Sequence, residues 1–384
     1  MINRLVSDSI RKDLDYYPIV ALTGPRQSGK TTLLKHLFPD FSYVSLENPD
    51  QRKFVLDDPG KFLLRFSSKV IIDEAQRVPP IFSYLQTHVD NLNLSGQYIL
   101  SGSQNFHLME SITQSLAGRV SIQKLFPLDI DELDQAGFLP VEWESLILKG
   151  SYPAIYSKNI DSRKFFVNYL QTYIKRDVSS LLNVHNTRLF GDFISLCASR
   201  TGQLLNLNNL ANECGITFPT ARSWLSVLET SYIVFLLHPY YENFTKRIVK
   251  SPKLYFYDTG LVSHLLGIKR TEELMKETLR GMLFENLVVS EIYKRNYHKN
   301  QFRNFWFWRD SNGREVDLLE KSVRGFDIYE IKSTSTIMPK LIEGLDYFDR
   351  ITKGRVKSKT LIYGGEEDQD RTKFKVKSWK STDI

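Results

Sequence analysis

Cysteine is nearly missing. Cys197 and Cys214 are the only two in 384 residues, and their spacing supports neither a disulfide framework nor a zinc cluster. No apolar run approaches the ~20 residues of a membrane span. Met1-Ile2-Asn3-Arg4-Leu5 lacks the apolar stretch of a secretory leader. Internal repeats and long low-complexity linkers are lacking as well. A cytoplasmic chain with no membrane partner is therefore expected. What is present fills cores: 42% of residues are hydrophobic and 12% aromatic, and the length allows two or three domains. The net charge of +7 and a sequence pI near 9.1 favour nucleic acid or another polyanion as partner. A solvated basic surface accounts for the charge equally well.

The chain is organised around Gly24-Pro25-Arg26-Gln27-Ser28-Gly29-Lys30-Thr31, which fits G-x-x-x-x-G-K-[ST] at every fixed position. Before it, Tyr17-Pro18-Ile19-Val20-Ala21-Leu22 reads as a buried parallel strand ending in Thr23. After it, Thr32-Leu33-Leu34-Lys35-His36-Leu37-Phe38 has leucines at helical spacing, and Pro39 stops the helix. Strand, loop and helix form a phosphate cradle. Loop N–H groups and the helix N-terminus face the oxygens, Lys30 reaches the β/γ-phosphates, and Thr31 takes Mg²⁺. Gly24 to Thr32, including Thr32 itself, are the expected ATP-binding residues.

Two further strands follow. Phe41 to Leu46 is one, and Lys69-Val70-Ile71-Ile72-Asp73-Glu74 closes on two carboxylates about forty residues past the loop. That is the form of a Walker B element, with Asp73 orienting Mg²⁺ and Glu74 polarising the attacking water. A fourth strand, Gln97 to Ser101, runs into Gly102-Ser103-Gln104-Asn105. Ligands of an open parallel sheet lie beyond the carboxyl ends of its strands, so Ser103 and Gln104 are candidates for sensing the γ-phosphate or placing water. Arg119 is a candidate arginine finger acting across a subunit boundary, which leaves a homo-oligomer open.

Gly24 to Thr32, Lys69 to Gln76, Ile99 to Phe106 and Ser115 to Arg119 together resemble the archaeal and bacterial AAA-type ATPases that carry a long uncharacterised carboxy-terminal region. The likeness continues through Gly150-Ser151-Tyr152-Pro153, where the family more often has two glycines before Tyr-Pro, and through Thr172 to Asp177. It implies an α/β fold over residues 1–150, an AAA-like P-loop parallel sheet flanked by helices.

Residues 151–265 read as a helical connector and a winged helix. Phe165 to Leu182 is an amphipathic helix. Leu204 to Cys214 and Thr220 to Glu229 are helices about a Gly215 to Pro219 turn. Tyr232 to Leu237 and Lys253 to Tyr257 are strands around a basic loop, Lys246 to Lys253. Thr217, Thr220, Arg222, Ser223 and Ser226 would be exposed on the second helix, with the loop as a wing over phosphates.

Over residues 266–384 a second constellation stands out. Leu279 to Arg295 is a helix carrying Glu285. The segments Arg314 to Glu320 and Phe326 to Lys332 flank a turn. If that turn centres between Val323 and Arg324, Asp317 lies opposite Glu330, a like-charge pair that asks for a cation. Period two puts Lys332 on the same face as Glu330. This arrangement resembles the PD-(D/E)xK nuclease core of restriction enzymes and archaeal Holliday-junction resolvases, with Val316 where the signature has proline. The resemblance implies an α/β restriction-endonuclease-like domain. In it Asp317 and Glu330 bind Mg²⁺, Glu285 supports the site, and Lys332 activates water. Lys373 to Trp379 reads as a basic edge strand.

The expected function is ATP hydrolysis coupled to metal-dependent cleavage or junction engagement of DNA, branched or single-stranded. The cofactors would be ATP and Mg²⁺. One alternative is a nucleotide-gated switch whose carboxy-terminal modules only bind. Another is a transposon or defence ATPase that recruits a partner nuclease.

Overall fold

The computed structural model describes residues 2–381 apart from 103–111, 113, 174–186, 243–248 and 276. Ser103, Gln104, Lys175 to Asp177 and the Lys246-Arg247-Ile248 part of the basic loop lie outside the described residues.

Five strands build the amino-terminal sheet: β1 (Ile19–Thr23), β2 (Ser42–Ser45), β3 (Val70–Asp73), β4 (Tyr98–Gly102) and β5 (Val120–Lys124). All neighbours pair in parallel, in the order β2-β3-β4-β1-β5. Residues alternate between faces with period two. Ile19 and Ala21 join a core with Ile72, Leu100, Phe82 and Leu85 on one side. Val20 and Leu22 join Val6, Ile10, Leu33 and Ile99 on the other. Because both faces are covered, β1, β3 and β4 are buried throughout and read as unbroken apolar runs. The edge strand β5 is mostly half-buried; its Val-Ser-Ile-Gln-Lys sequence carries no such signal, and no strand is expected there. With β4 inserted between β1 and β3, the nucleotide loop, Ser101 and Asp73 end up side by side at the carboxyl end of the sheet.

Beyond residue 150, the Ser162–Tyr169 helix buries Phe165, Phe166 and Tyr169. The helices Leu207–Cys214 and Phe218–Thr230 follow, joined by Gly215-Ile216-Thr217, and the Thr217 side chain caps the second by accepting from Thr220 N–H. Arg222, Ser223 and Ser226 are exposed on it. An antiparallel hairpin comes next, β6 (Val234–Leu237) with β7 (Lys253–Phe256). Lys253, expected to end the basic loop and open the following strand, is the first residue of β7 and is buried, so it adds nothing to an exposed wing.

The last portion opens with the helix Glu277–His298. Its strands are β8 (Phe305–Arg309), β9 (Glu315–Ser322), β10 (Gly325–Lys332), β11 (Val356–Tyr363), β12 (Gln369–Asp370) and β13 (Lys375–Ser378). They form one sheet in the order β12-β13-β11-β10-β9-β8. β8, β9 and β10 are an antiparallel meander, while β10, β11 and β13 run parallel. The β9–β10 register runs from Gly325 opposite Ser322 to Tyr329 opposite Leu318. One further step sets Glu330 across from Asp317, as the Val323-Arg324 turn requires. β13 is not the edge strand its lysines imply, because β12 covers its outer side. The largest apolar core extends from Phe126 to Trp379 and takes in the hairpin, the Glu277–His298 helix and the inner face of the second sheet. Among the described residues no helix is long and apolar enough to cross a membrane.

Candidate functional site

The nucleotide loop leaves β1 at Gly24, whose φ is +150°; a Cβ there would lie 2.1 Å from the Leu125 carbonyl oxygen. Only glycine permits that approach. The loop then closes on itself through Ser28 N–H to Pro25 O at 3.3 Å, and Lys30 opens the Lys30–Leu37 helix. Lys30 Nζ donates to the Gly24 and Pro25 carbonyls, 2.9 Å each. Burial lowers its pKa to about 8, against the raising pull of Glu74 and Asp73. Ser28 Oγ is buried with no hydrogen-bond partner among the described residues. An ammonium and an unsatisfied hydroxyl in a loop at a helix N-terminus suit a phosphate chain.

Asp73 gathers three hydroxyls. Thr31 Oγ1 donates to its Oδ2 at 2.9 Å, Tyr43 OH to the same oxygen at 2.7 Å, and Ser101 Oγ to its Oδ1. Thr31 and Asp73 are hard oxygen donors in contact, which fits Mg²⁺. Glu74 holds a left-handed backbone, φ +55°, costly for a residue with a Cβ, and its carboxylate accepts from Gln76 Nε2 at 2.5 Å. Asp73 and Glu74 line a cavity of about 670 Å³, to which Pro153, Phe165 and Asn168 also contribute. That volume accommodates a nucleotide. Arg119 lies elsewhere. It precedes β5, at the sheet end opposite the loop, and its guanidinium grips both oxygens of Asp90 at 2.6 and 2.8 Å.

A buried polar network connects the loop to the far half of the molecule. Arg4 donates to Ser28 O at 2.8 Å and to Phe126 O at 2.6 Å, and its Nε is 3.0 Å from Glu132 Oε2. Asp129 and Glu132 form a reciprocal capping box. His298, at the end of its long helix, accepts from Phe126 N–H through Nε2 at 3.1 Å and meets Asp129 Oδ2 through Nδ1 at 2.7 Å. Both imidazole nitrogens are thus engaged, so the Asp129, Glu132 and His298 oxygens and nitrogens, although close together, form a hydrogen-bonded joint.

Earlier in the same Glu277–His298 helix, more than three turns before His298, Glu285 enters a carboxylate cluster. Asp317 Oδ2 accepts from Ile331 N–H at 2.9 Å and from Lys332 Nζ at 3.2 Å. Lys332 Nζ is also 2.6 Å from Glu330 Oε1, so the lysine bridges the opposed pair. Burial and the Asp317 charge push Glu330 up to about 8, although Lys332 opposes the shift. Asp317 is held below the usual carboxylate range: burial alone would raise it, but Lys332 and Lys253 outweigh that. The oxygens that converge within 4.8 Å belong to Glu285, Glu315 and Asp317. Glu330, expected beside Asp317 as a metal ligand, stands outside that trio.

Three family models match in succession: "AAA domain" over residues 16–134, "Domain of unknown function (DUF8612)" over 141–272 and "Domain of unknown function (DUF4143)" over 280–381. Uncharacterized protein Rv2008c of Mycobacterium tuberculosis is 32% identical over 334 residues, covering 85% of this chain and 73% of the relative. Uncharacterized protein Mb2031c of Mycobacterium bovis matches to the same extent. The chain belongs to their family. Its residues 16–134 are an AAA-type P-loop ATPase domain. Among solved structures, the Walker-type ATPase paby2304 of Pyrococcus abyssi aligns at 15% identity over 69% of this chain and 96% of that one, with a TM-score of 0.46.

Several residues at these sites escape sequence reasoning. Ser101 and Tyr43 reach Asp73 from segments read only as strands. Glu315 was within reach, since it shares the face of Asp317 by period two. Lys253, at the junction of the basic loop and the following strand, reads as one more basic residue of the wing. Arg4, Glu132 and His298 meet across more than a hundred residues of sequence, and nothing local marks them.

Proposed function

We propose that this AAA-type ATPase couples its nucleotide state to the engagement of DNA by its carboxy-terminal half. One observation carries the reading. The nucleotide cavity is shared between the loop and residues beyond 150, and Arg4 joins the loop's Ser28 carbonyl to the network that ends on His298. Lys30 and the loop amides would hold the triphosphate, and Glu74 would polarise water. Thr31 and Asp73 would hold Mg²⁺, which supplies charge neutralisation at the phosphates. The helix–turn–helix and hairpin fit a winged helix, its exposed Arg222, Ser223 and Ser226 available to a groove, and the basic net charge suits phosphate contacts. The test is anisotropy of labelled duplex, single-stranded and four-way-junction DNA with full-length protein in ATPγS, in ADP and without nucleotide. A tenfold or greater difference in affinity between nucleotide states is expected, lost in Lys30→Ala. Affinity indifferent to nucleotide removes the coupling, and failure to bind any of the three removes DNA.

A second reading, metal-dependent DNA cleavage, is favoured by the convergence of Asp317, Glu330 and Lys332 on the sheet face beneath Glu285. Nicking that disappears in Asp317→Ala while ATP turnover persists would support it.

A further inference from the structure

The carboxylate cluster already contains a cation. Lys253 is 3% exposed, and its Nζ is 2.8 Å from Glu285 Oε1, in contact with Glu315 Oε1 and 3.9 Å from Asp317 Oδ1. Those are the three carboxylates that would otherwise converge on a metal. The lysine comes from β7, outside the sheet that supplies Glu315 and Asp317. Alternation along β7 places Tyr255 on the same face, and its hydroxyl donates to Glu285 Oε1 at 2.6 Å. Arg309 NH1 takes the outer oxygen of Glu315 at 3.0 Å. The helix and the strand are locked together beside the cluster: Asn286, next to Glu285, exchanges hydrogen bonds of 2.8 and 2.9 Å with the Phe256 backbone. The Phe307 ring lies 5.6 Å from the ammonium.

An ammonium offers three N–H groups, and three carboxylates surround this one. Burying a charge is tolerated only with such partners. A Mg²⁺ ion needs oxygens at about 2.0–2.1 Å in near-octahedral array, and within this trio it would sit almost on the ammonium, where two buried cations repel with little screening. The residues present therefore do not fit a divalent ion while Lys253 is in place.

We propose that Lys253 is the resident cation of the Glu285, Glu315 and Asp317 cluster, next to the Asp317 and Glu330 pair on which a nuclease of this likeness would carry its metal. The site is closed to divalent ions until β7 withdraws that side chain. The proposal rests on reading the cluster as nuclease-like, and its test separates the two.

Mn²⁺ binding to nucleotide-free, full-length protein is measured by electron paramagnetic resonance and calorimetry for wild type, Asp317→Asn, Lys253→Met and Lys253→Met/Asp317→Asn. The expected result is no Asp317-dependent ion in wild type, one ion bound at least tenfold more tightly by Lys253→Met, and loss of that gain in the double variant. An Asp317-dependent ion in wild type overturns the lock and leaves the nuclease-like reading standing. A folded Lys253→Met protein that gains no ion overturns both. If Lys253→Met does not fold, Lys253→Met/Glu315→Gln removes one negative charge with the positive one, and the same tenfold gain over wild type or its absence decides. Thermal unfolding gives a second readout: Mn²⁺ should raise the melting temperature of the lysine variant and not that of wild type.

Discussion

At the residue scale, Lys30 carries the clearest consequence. Its amine, folded onto two loop carbonyls and desolvated, has a pKa lowered to about 8. A triphosphate would restore the full positive charge, so binding takes up a proton wherever the free amine has lost one. Nucleotide affinity should therefore be flat below about pH 8 and fall by up to ~tenfold per pH unit above it. Titrations with a fluorescent ATP analogue between pH 6.5 and 9.5, with proton uptake followed in buffers of different ionisation enthalpy, test this. Affinity constant to pH 9.5 would dismiss the argument. Lys30→Ala should lower ATP turnover by ~10²–10³ or more, the usual loss of a preorganised donor. The motif residues were legible because a phosphate cradle needs particular residue types at particular spacing. Their helpers Tyr43 and Ser101 were not, because a hydroxyl on a buried strand looks alike whether it serves a carboxylate or a neighbouring backbone.

At the element scale, alternation and apolar runs reproduced most strands, erring where an element's position in the sheet altered its pattern, whereas helices such as Pro49–Asp57, Ile81–Leu92 and Thr187–Ser199 were not read from the sequence at all. β5 is a half-polar edge, and β13 is covered by a two-residue strand no pattern announces. The Gly150-Ser151-Tyr152-Pro153 turn has a structural job. Asp258 caps the helix Thr259–Leu265 by accepting from Leu261 N–H at 2.9 Å, and its other oxygen accepts from Ser151 N–H at 2.7 Å and Ser151 Oγ at 3.0 Å. Asp258→Ala removes a cap worth ~1 kcal/mol and strands a buried amide at ~1–3 kcal/mol. A loss of about 2–4 kcal/mol in urea unfolding is expected, and less than about 1 kcal/mol would refute this role. Gly150 has φ +71°, and a Cβ there would come within 2.6 Å of Asp258 Oδ1. Gly150→Ala should therefore also destabilise, by ~1–3 kcal/mol.

At the scale of the whole molecule, the Glu277–His298 helix spans from the joint beneath the nucleotide loop to the carboxylate cluster. Arg4 is where the loop meets that joint. Arg4→Ala leaves Glu132 buried without its cation and should cost about 3–5 kcal/mol in unfolding experiments. It also frees the Ser28 carbonyl, so KM for ATP should rise several-fold. Arg4→Lys should recover much of the stability while leaving KM raised, because one ammonium cannot reach both carbonyls and Glu132 as the guanidinium does. Wild-type KM in Arg4→Ala would show that the loop stands without this prop. The sequence by itself determined the ATPase core, the hairpin register that opposes Asp317 to Glu330, and the helix–turn–helix, since these follow from local spacing, turn chemistry and alternation. Only the tertiary structure decided that Lys253 enters the carboxylate cluster and that Arg4 reaches His298's joint. Those contacts join elements remote along the chain, and they are held by buried charge, whose partners are chosen by packing and leave no periodic trace in sequence.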